Sequence, residues 1–407
     1  MSTELNTLIE TTSPELKTQE MIINMGPQHP ATHGVLRLIV TLDGEIVKHV
    51  EPVLGHLHRA QEWQGQNRTW FQYQALIDRV DYLSGMYTSW ALSRSAETIE
   101  GTVVPKRAEY LRVILSEMNR ITSHLLWLGT YLIDLGAMFG FPFYPFRERE
   151  KLFDLFEAVA GQRMMFNYIR IGGVVRNPPF GWFAKLETFL DEFPARIDEY
   201  EAIVTENPIF LKRTKGVGYL SPEVAMSYGM SGPCVRASGI NLDLRKTKPY
   251  SIYPELDFKV PVMTEGDTWA RYMCRIAEMR ECVNIIRQCI KQIPGGTTEE
   301  LRKGLGTTGP EKDDSKDLPP EHMIMAKKQN AGLRVKAGEG FAAVESPRGT
   351  IGCYVVSNGS DKAYRFRWRN PSFCNLSAIS ELLVGSPIAD VMAIFGSIDV
   401  ILPDVDR

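Results

Sequence analysis

Apolar residues recur three and four positions apart over several long stretches of this chain, a spacing that predicts amphipathic helices. The clearest opens at Pro105, a residue suited to a first helical turn. It runs through Leu111, Leu115, Met118, Leu125 and Leu128 to about Gly136. The same spacing predicts helices over 81–99, 147–168, 182–205 and 267–293, the last stopped by Pro294-Gly295-Gly296. Val35 to Thr41 reads instead as a buried strand. Asp43-Gly44 is a strong hairpin signal, and Ile46 to Leu54 reads as the return strand. Leu333 to Trp368 reads as further strands, with turns near Gly338-Glu339-Gly340 and Asn358-Gly359, and Leu376 to Ile398 holds two short helical stretches. The class is α+β: an N-terminal β-hairpin or sheet, a central helical bundle and a small β-rich C-terminal region.

The pattern divides the chain into an acidic tail over 1–20, an N-terminal β region over 21–58 and the bundle over 59–293. An exposed insert over 294–332 and a C-terminal β/α region over 333–407 follow. The tail carries four Glu and a single Lys17, which fits neither a secretory signal nor an Arg-rich transit sequence. Thr297 to Asn330 is rich in Gly, charge and Pro319-Pro320, a composition expected to be mobile and dispensable. Leu125 to Phe146 is apolar enough to be tested as a membrane span. Asp134, Gly136, Gly140, Pro142 and Pro145 interrupt it, so it reads as a helix end and an aromatic loop, Phe139–Phe146, facing an apolar partner.

Composition narrows the chemistry. A chain of 407 residues with 44% hydrophobic and 23% charged content can bury a large core. A net charge of −3 gives no general attraction to nucleic acid or anionic lipid. The Cys at 234, 274, 282, 289, 353 and 374 form no C-x-x-C pair, so neither a zinc finger nor a cluster cradle is encoded. They read as reduced, packed thiols. Gly216-Val217-Gly218 lacks a third glycine and a preceding apolar strand, so no dinucleotide loop is present. Tyr364, Phe366 and Trp368 alternate with arginines as a half-buried edge strand does.

Gly26-Pro27-Gln28-His29-Pro30-Ala31-Thr32-His33-Gly34 puts two imidazoles on a turn that its prolines keep out of a helix. That turn is either a mounted site or a loop whose histidines satisfy nearby carbonyls. His56 and His58 with His29 and His33 invite a metal reading, but zinc spacings and an acidic second layer are missing, and structural histidines fit better. Asp134, the one acid or base between His124 and Arg147, is either a helix-ending structural acid or a functional one.

Gly26–Leu38, together with Arg79-Val80-Asp81-Tyr82-Leu83, Ser123-His124-Leu125, Gly161-Gln162-Arg163 and Ile169–Gly173, closely resembles one family. Glu345-Ser346-Pro347-Arg348-Gly349 and Asp404-Val405-Asp406-Arg407 agree with it. It is the quinone-site subunit of NADH–quinone oxidoreductase (respiratory complex I), itself related to the large subunit of nickel–iron hydrogenases. Those hydrogenases hold their metal with two C-x-x-C pairs. Asp81 and Ser84 stand at the first pair here, and Ile401 and Asp404 at the second. Carboxylate, hydroxyl and isobutyl groups cannot replace four soft thiolates for nickel, so no metal is expected in this chain.

The resemblance implies a hydrogenase large-subunit-like fold and reduction of a quinone (ubiquinone, menaquinone or plastoquinone) to quinol, coupled to proton translocation by the complex. Electrons would come from an iron–sulfur cluster in a neighbouring subunit, supplied originally by NADH, ferredoxin or another donor. Tyr82 and His33 match the groups that bracket the quinone head, the Gly26–Gly34 turn being a mobile loop at the site. Asp134 matches the acid linked to that histidine, with Thr130 one helical turn before it. Arg59 matches an arginine beside the cluster, and Met165 stands where many members have a histidine. The implied partners are the small cluster-bearing subunit and the membrane subunit where quinone enters, with no nucleic acid. The implied place is peripheral, on the cytoplasmic side of a prokaryotic inner membrane. The alternative is a non-catalytic scaffold in a related hydrogenase-like membrane complex.

Overall fold

Pro105 takes an extended backbone ahead of helix Lys106–Asp134, whose side chains are buried along almost its whole length. A helix buried on every side, its polar side chains included, belongs at the centre of a bundle. It packs against Gly85–Glu100, Phe143–Ala160 and Thr268–Gln292, and Trp182–Val204 closes the group against the last two. Asp267 caps Thr268–Gln292 by accepting from the Ala270 amide at 2.8 Å. The computed structural model describes residues 20–28, 34–136, 140–304, 323–326 and 332–407.

An antiparallel three-stranded sheet lies towards each end of the chain. In the first, Arg37–Asp43 runs between Glu20–Met25 and Ile46–Val53, with Gly44 (φ 62°) and Glu45 making the turn. Leu38, Val40 and Leu42 alternate into a core shared with the helices of the C-terminal region. In the second, Gly349–Ser357 runs between Gly338–Ser346 and Ala363–Arg369 and packs on helix Gly85–Glu100. Phe366 and Trp368 point inward there while Arg365 and Arg367 face solvent, the division expected of a half-buried edge, but Tyr364 of the same alternation is 69% exposed.

Several boundaries differ from the sequence reading, each for a local reason. Glu20–Met25 adds a strand whose residues are mostly exposed, so its apolar positions carry little burial signal. Gly338-Glu339-Gly340 opens a strand instead of turning: a Cβ at Gly340 would lie 2.6 Å from the Ser95 carbonyl, so glycine there permits close approach of a helix. The helix expected from 147 starts at Phe143 and stops at Ala160, where Gly161 takes a left-handed conformation. The aromatic loop does not present itself whole to a partner. Phe141 is buried in the bundle and only Phe143 is strongly exposed, at 78%, while Ala137 to Phe139 lie outside the described residues. No helix among the described residues is long and apolar enough to cross a membrane.

Of the polar stretch 294–332, residues 305–322 and 327–331 lie outside the described residues. Its described ends are anchored. Thr298 donates to the Pro178 carbonyl at 3.0 Å, and Ile324 is buried with its carbonyl accepting from the Val174 amide at 2.8 Å.

Where the bundle meets the second sheet, a charged network is removed from water. Arg120 binds Glu117 at 3.1 Å, and Arg245 binds Glu117 at 3.2 Å and Asp243 at 2.7 Å. Arg236 binds Glu345 at 2.8 Å and also Glu278, which accepts in turn from His124 at 2.9 Å. All these side chains are buried. Burial pushes the Glu278 carboxyl up, but Arg236, His124 and Arg120 outweigh it and hold the group well below its ordinary value. Burial and Asp243 push Glu345 the other way, upward. Glu278→Ala would leave Arg236 and His124 buried without this partner, and loss of one member of a buried pair costs about 3–5 kcal/mol. A lowered denaturant midpoint, with the same change at exposed Glu187 as control, is the expected outcome.

Candidate functional site

The 3₁₀ turn Ile77–Arg79 leads into Asp81 and Tyr82 just ahead of helix Gly85–Glu100. Asp81 is fully buried and organises this corner: its Oδ1 accepts from the Leu83 and Ser84 amides at 3.2 Å, and its Oδ2 takes the Ser84 hydroxyl. Tyr82 is thereby turned into a pocket of about 370 Å³ lined by Leu57, Arg59, Gln61, Gln64, Leu76, Arg79, Met165 and Pro403. Its hydroxyl makes no hydrogen bond among the described residues. Burial pushes the phenol above its ordinary value, Arg348 pulls it back, and Asp81 and Asp399 add to the rise. The group is therefore a protonated donor at neutral pH with its hydrogen-bonding capacity still available.

Three of the residues singled out in the sequence thus meet: Tyr82, Arg59 and Met165 line one pocket. Thr130 and Asp134 do not line it. They sit at the end of helix Lys106–Asp134, where the Thr130 hydroxyl donates back into its own helix, to Leu126 or Trp127. Asp134 is half-buried beside Gly396 of helix Val391–Ser397, on which a Cβ would come within 3.7 Å of Asp134 Oδ2. His29 and His33 lie outside the described residues. The described chain resumes at Gly34, where a Cβ would lie 2.7 Å from Leu402, the neighbour of pocket-lining Pro403.

Two supports of the pocket come from residues whose roles the sequence reading did not identify. Asp406 accepts from the Gly55 and Leu57 amides at 2.9 and 2.7 Å, and its carbonyl meets His58 Nδ1 at 2.6 Å, fixing the loop that carries Arg59. His58 is thus structural, and no cluster of His, Cys, Asp or Glu among the described residues is arranged to hold a metal. Buried Asp78 accepts from the Asn167 amide at 2.8 Å and from Ser89, holding a turn in which Met165 (φ 59°) and Asn167 (φ 44°) are both left-handed. Burial raises the Asp78 carboxyl to about 6. Gln61 also lines the pocket, is 95% buried and has an amide oxygen without a partner among the described residues. Sequence motifs could flag Asp404–Arg407 as a block, but not which segment it clamps.

Behind Tyr82 lies Arg348, on the turn between strands Gly338–Ser346 and Gly349–Ser357. It donates to Asp81 at 2.9 and 3.2 Å and to Ser123 at 3.1 Å, with Asp399 at 3.5 Å. The turn is packed so closely that a Cβ at Gly232 (φ 77°) would lie 2.3 Å from the Arg348 carbonyl oxygen. Asp404 completes the group, fully buried and accepting from the Ser372 amide at 2.9 Å.

Bundle, sheets and a polar corner in place of thiolate pairs define a nickel–iron hydrogenase large-subunit-like fold. The sequence model of the family described as "Respiratory-chain NADH dehydrogenase, 49 Kd subunit" matches residues 134–407, and the chain belongs to that family. It is 47% identical over 393 residues to the first H-type subunit of the NAD(P)H-quinone oxidoreductase of Gloeobacter violaceus, covering 97% of this chain and 99% of that one. It is 48% identical to the chloroplastic H-type subunit of the same enzyme in Zea mays (95% and 98% covered) and 47% to that of Mesostigma viride (97% and 100%).

Asp78→Ala removes the acceptor of the Asn167 amide and should loosen the turn that carries Met165. An unpaired buried donor costs about 1–3 kcal/mol, so hydrogen exchange at Asn167 should speed up by roughly ten-fold or more, as followed by mass spectrometry. Unchanged protection would show that the turn is held by other contacts.

Proposed function

We propose that this chain is the quinone-reducing subunit of a complex I-type oxidoreductase, peripheral to the membrane on its cytoplasmic side. In this reading it passes electrons to quinone within a complex that translocates protons. The observation that carries the reading is the pocket in which a tyrosine whose hydroxyl makes no hydrogen bond among the described residues meets Arg59 and Met165. Relatives named as NAD(P)H-quinone oxidoreductase subunits supply the substrate class. A pocket of this kind, apolar on several sides with a few convergent polar groups, suits an aromatic head group. A purely scaffolding chain would have no use for a phenol aimed into that pocket.

Reduction of a quinone to a quinol consumes two electrons and two protons. The electrons are supplied by an iron–sulfur cluster of a neighbouring subunit. This chain has no C-x-x-C pair, and five of its Cys are buried, so it does not cradle a cluster itself. Its own part is to bind the head group, exclude water and supply protons at the carbonyl oxygens. Tyr82 donates from its hydroxyl to one carbonyl, and the donation strengthens as that oxygen gains negative charge. His33 serves the opposite carbonyl, and Asp134 keeps that imidazole oriented and protonated. Arg59 and Met165 form the side towards the electron donor. A methionine cannot take up a proton, so no redox-linked protonation occurs at position 165.

Tyr82→Phe keeps the ring and its packing but deletes the donor. The assembled complex should still have its clusters reduced, as seen by EPR, while quinol formation falls roughly 10²–10³-fold. Quinone turnover near wild type would remove Tyr82 from the site.

Met165→His should make the midpoint potential of the neighbouring cluster more dependent on pH over about pH 6 to 8. A proton bound more tightly when the cluster is reduced links the two equilibria. A redox titration with unchanged slope would place Met165 too far from the cluster.

A further inference from the structure

A second pocket adjoins the turn that carries Met165. It has a volume of about 200 Å³, and Val159, Gln162, Phe166, Asn167, Arg170 and Arg176 are among its walls. No Asp or Glu among the described residues lines it. Met165 lines the Tyr82 pocket while its neighbours Phe166 and Asn167 line this one, so a single turn forms a wall of both. Gln162 fastens that turn: with its amide nitrogen towards it, the side chain donates to the Met164 and Met165 carbonyls at 3.2 and 3.0 Å. Val159 and Phe166 make a buried apolar floor, and the rim opens to solvent at Gln162 and Arg176, which are exposed.

Two cations stand in this pocket with no anion to meet them. Arg170 is half-buried; its Nε donates to the Asn167 carbonyl at 3.4 Å, and its guanidinium lies 5.7 Å from the centre of the Phe71 ring. Neither Arg170 nor Arg176 pairs with a carboxylate among the described residues, whereas Arg163 close by has both Glu150 and Asp154. Burial pulls the Arg170 guanidinium below its ordinary value, and no acid acts on it to offset the loss. Asp78, the buried acid of this turn, is engaged by the Asn167 amide and Ser89. Asn167 adds a buried side-chain oxygen that has no partner among the described residues. A guanidinium partly stripped of water binds a carboxylate through strong paired hydrogen bonds, and a buried acceptor without a donor is costly.

We infer that this pocket is a socket for one acidic side chain of the neighbouring cluster-bearing subunit. The inference rests on the proposed function, in which Arg59 and Met165 form the side towards that subunit. The carboxylate of an Asp or Glu accepts from Arg170 and Arg176, and a backbone N–H beside it donates to Asn167 Oδ1. At about 200 Å³ the pocket is smaller than the clefts of about 300–1,000 Å³ that take drug-sized molecules, and it suits a single side chain. A lysine or a neutral amide from the partner would leave the guanidiniums without an anion. An acid seated here registers the partner against the turn that carries Met165. The approach of the electron donor to the Tyr82 pocket is thereby set by a contact made outside that pocket.

The test uses the assembled complex. A carbodiimide joins a carboxylate to an amine in contact with it and leaves guanidinium groups unreacted. Arg170→Lys keeps the positive charge and supplies the amine, and the one hydrogen bond that it gives up is long. After treatment, mass spectrometry should find position 170 joined to an Asp or Glu of the cluster-bearing subunit, with no such link in wild type. Arg170→Glu sets like charges against each other and should lower the assembled fraction on the order of ten-fold or more. Changing the cross-linked acid to Arg in the same complex should restore assembly. A link only to acids of this chain, no link at all, or normal assembly of Arg170→Glu overturns the inference; a pocket that takes only a free anion such as phosphate gives no link. If Arg170→Lys does not assemble, Arg176→Lys is read in the same way. A link to the cluster-bearing subunit together with a normal rate in Tyr82→Phe would reject the quinone role and leave the socket standing. A slow Tyr82→Phe without the link would reject the socket alone.

Discussion

The site depends on a set of charges that cannot be moved without leaving one of them unpaired. Glu117, Asp243, Glu278 and Glu345 share Arg120, Arg236 and Arg245 inside the protein, with His124 on Glu278. A hydrophobic contact tolerates a shift of an ångström; a buried ion pair does not, because the cost of stranding a charge is several kcal/mol. The network therefore fixes the relative placement of helices Lys106–Asp134 and Thr268–Gln292, the segment around Arg236–Arg245 and the strand ending at Ser346. Arg120 adds hydrogen bonds to the carbonyls of Glu345 at 2.6 Å and Ser346 at 3.0 Å. The turn that presents Arg348 is thus tied to this buried network.

From that turn the dependence passes outward. Arg348 holds Asp81, Asp81 shapes the corner, and the corner aims Tyr82. In the related hydrogenases, thiolate pairs at the positions of Asp81, Ser84, Ile401 and Asp404 surround a metal cation. Here an arginine supplies the positive centre among oxygen groups. Anion–cation attraction survives as the organising force, with a fixed organic cation that has no redox chemistry of its own.

The periodic parts of the fold were legible in the sequence. Helix Lys106–Asp134 carries an apolar pattern and a proline start, and Asp43-Gly44 marks its hairpin, because both signals are local. The strand Glu20–Met25 was not, since an exposed edge strand needs no alternation. Tyr82, Arg59 and Met165 were legible as separate residues of a family pattern. Their meeting at one pocket was not, because it depends on Asp406 and Asp78, polar residues that look like any surface acid until their partners are known. Arg348 could be read as part of a motif, whereas its place among Asp81, Asp399 and Asp404 arises from three segments brought together only by folding.

The clamp of Asp406 on Gly55 and Leu57 spans 351 and 349 positions of the chain. Translation proceeds from the N-terminus, so the Arg59 loop emerges long before the residue that fastens it. The bundle and much of the core can condense on the ribosome while one wall of the pocket still lacks its anchor. Completion of the pocket wall thus waits for a segment made about 350 residues later. Until Asp406 is made, the backbone amides of Gly55 and Leu57 lack the carboxylate that fastens them.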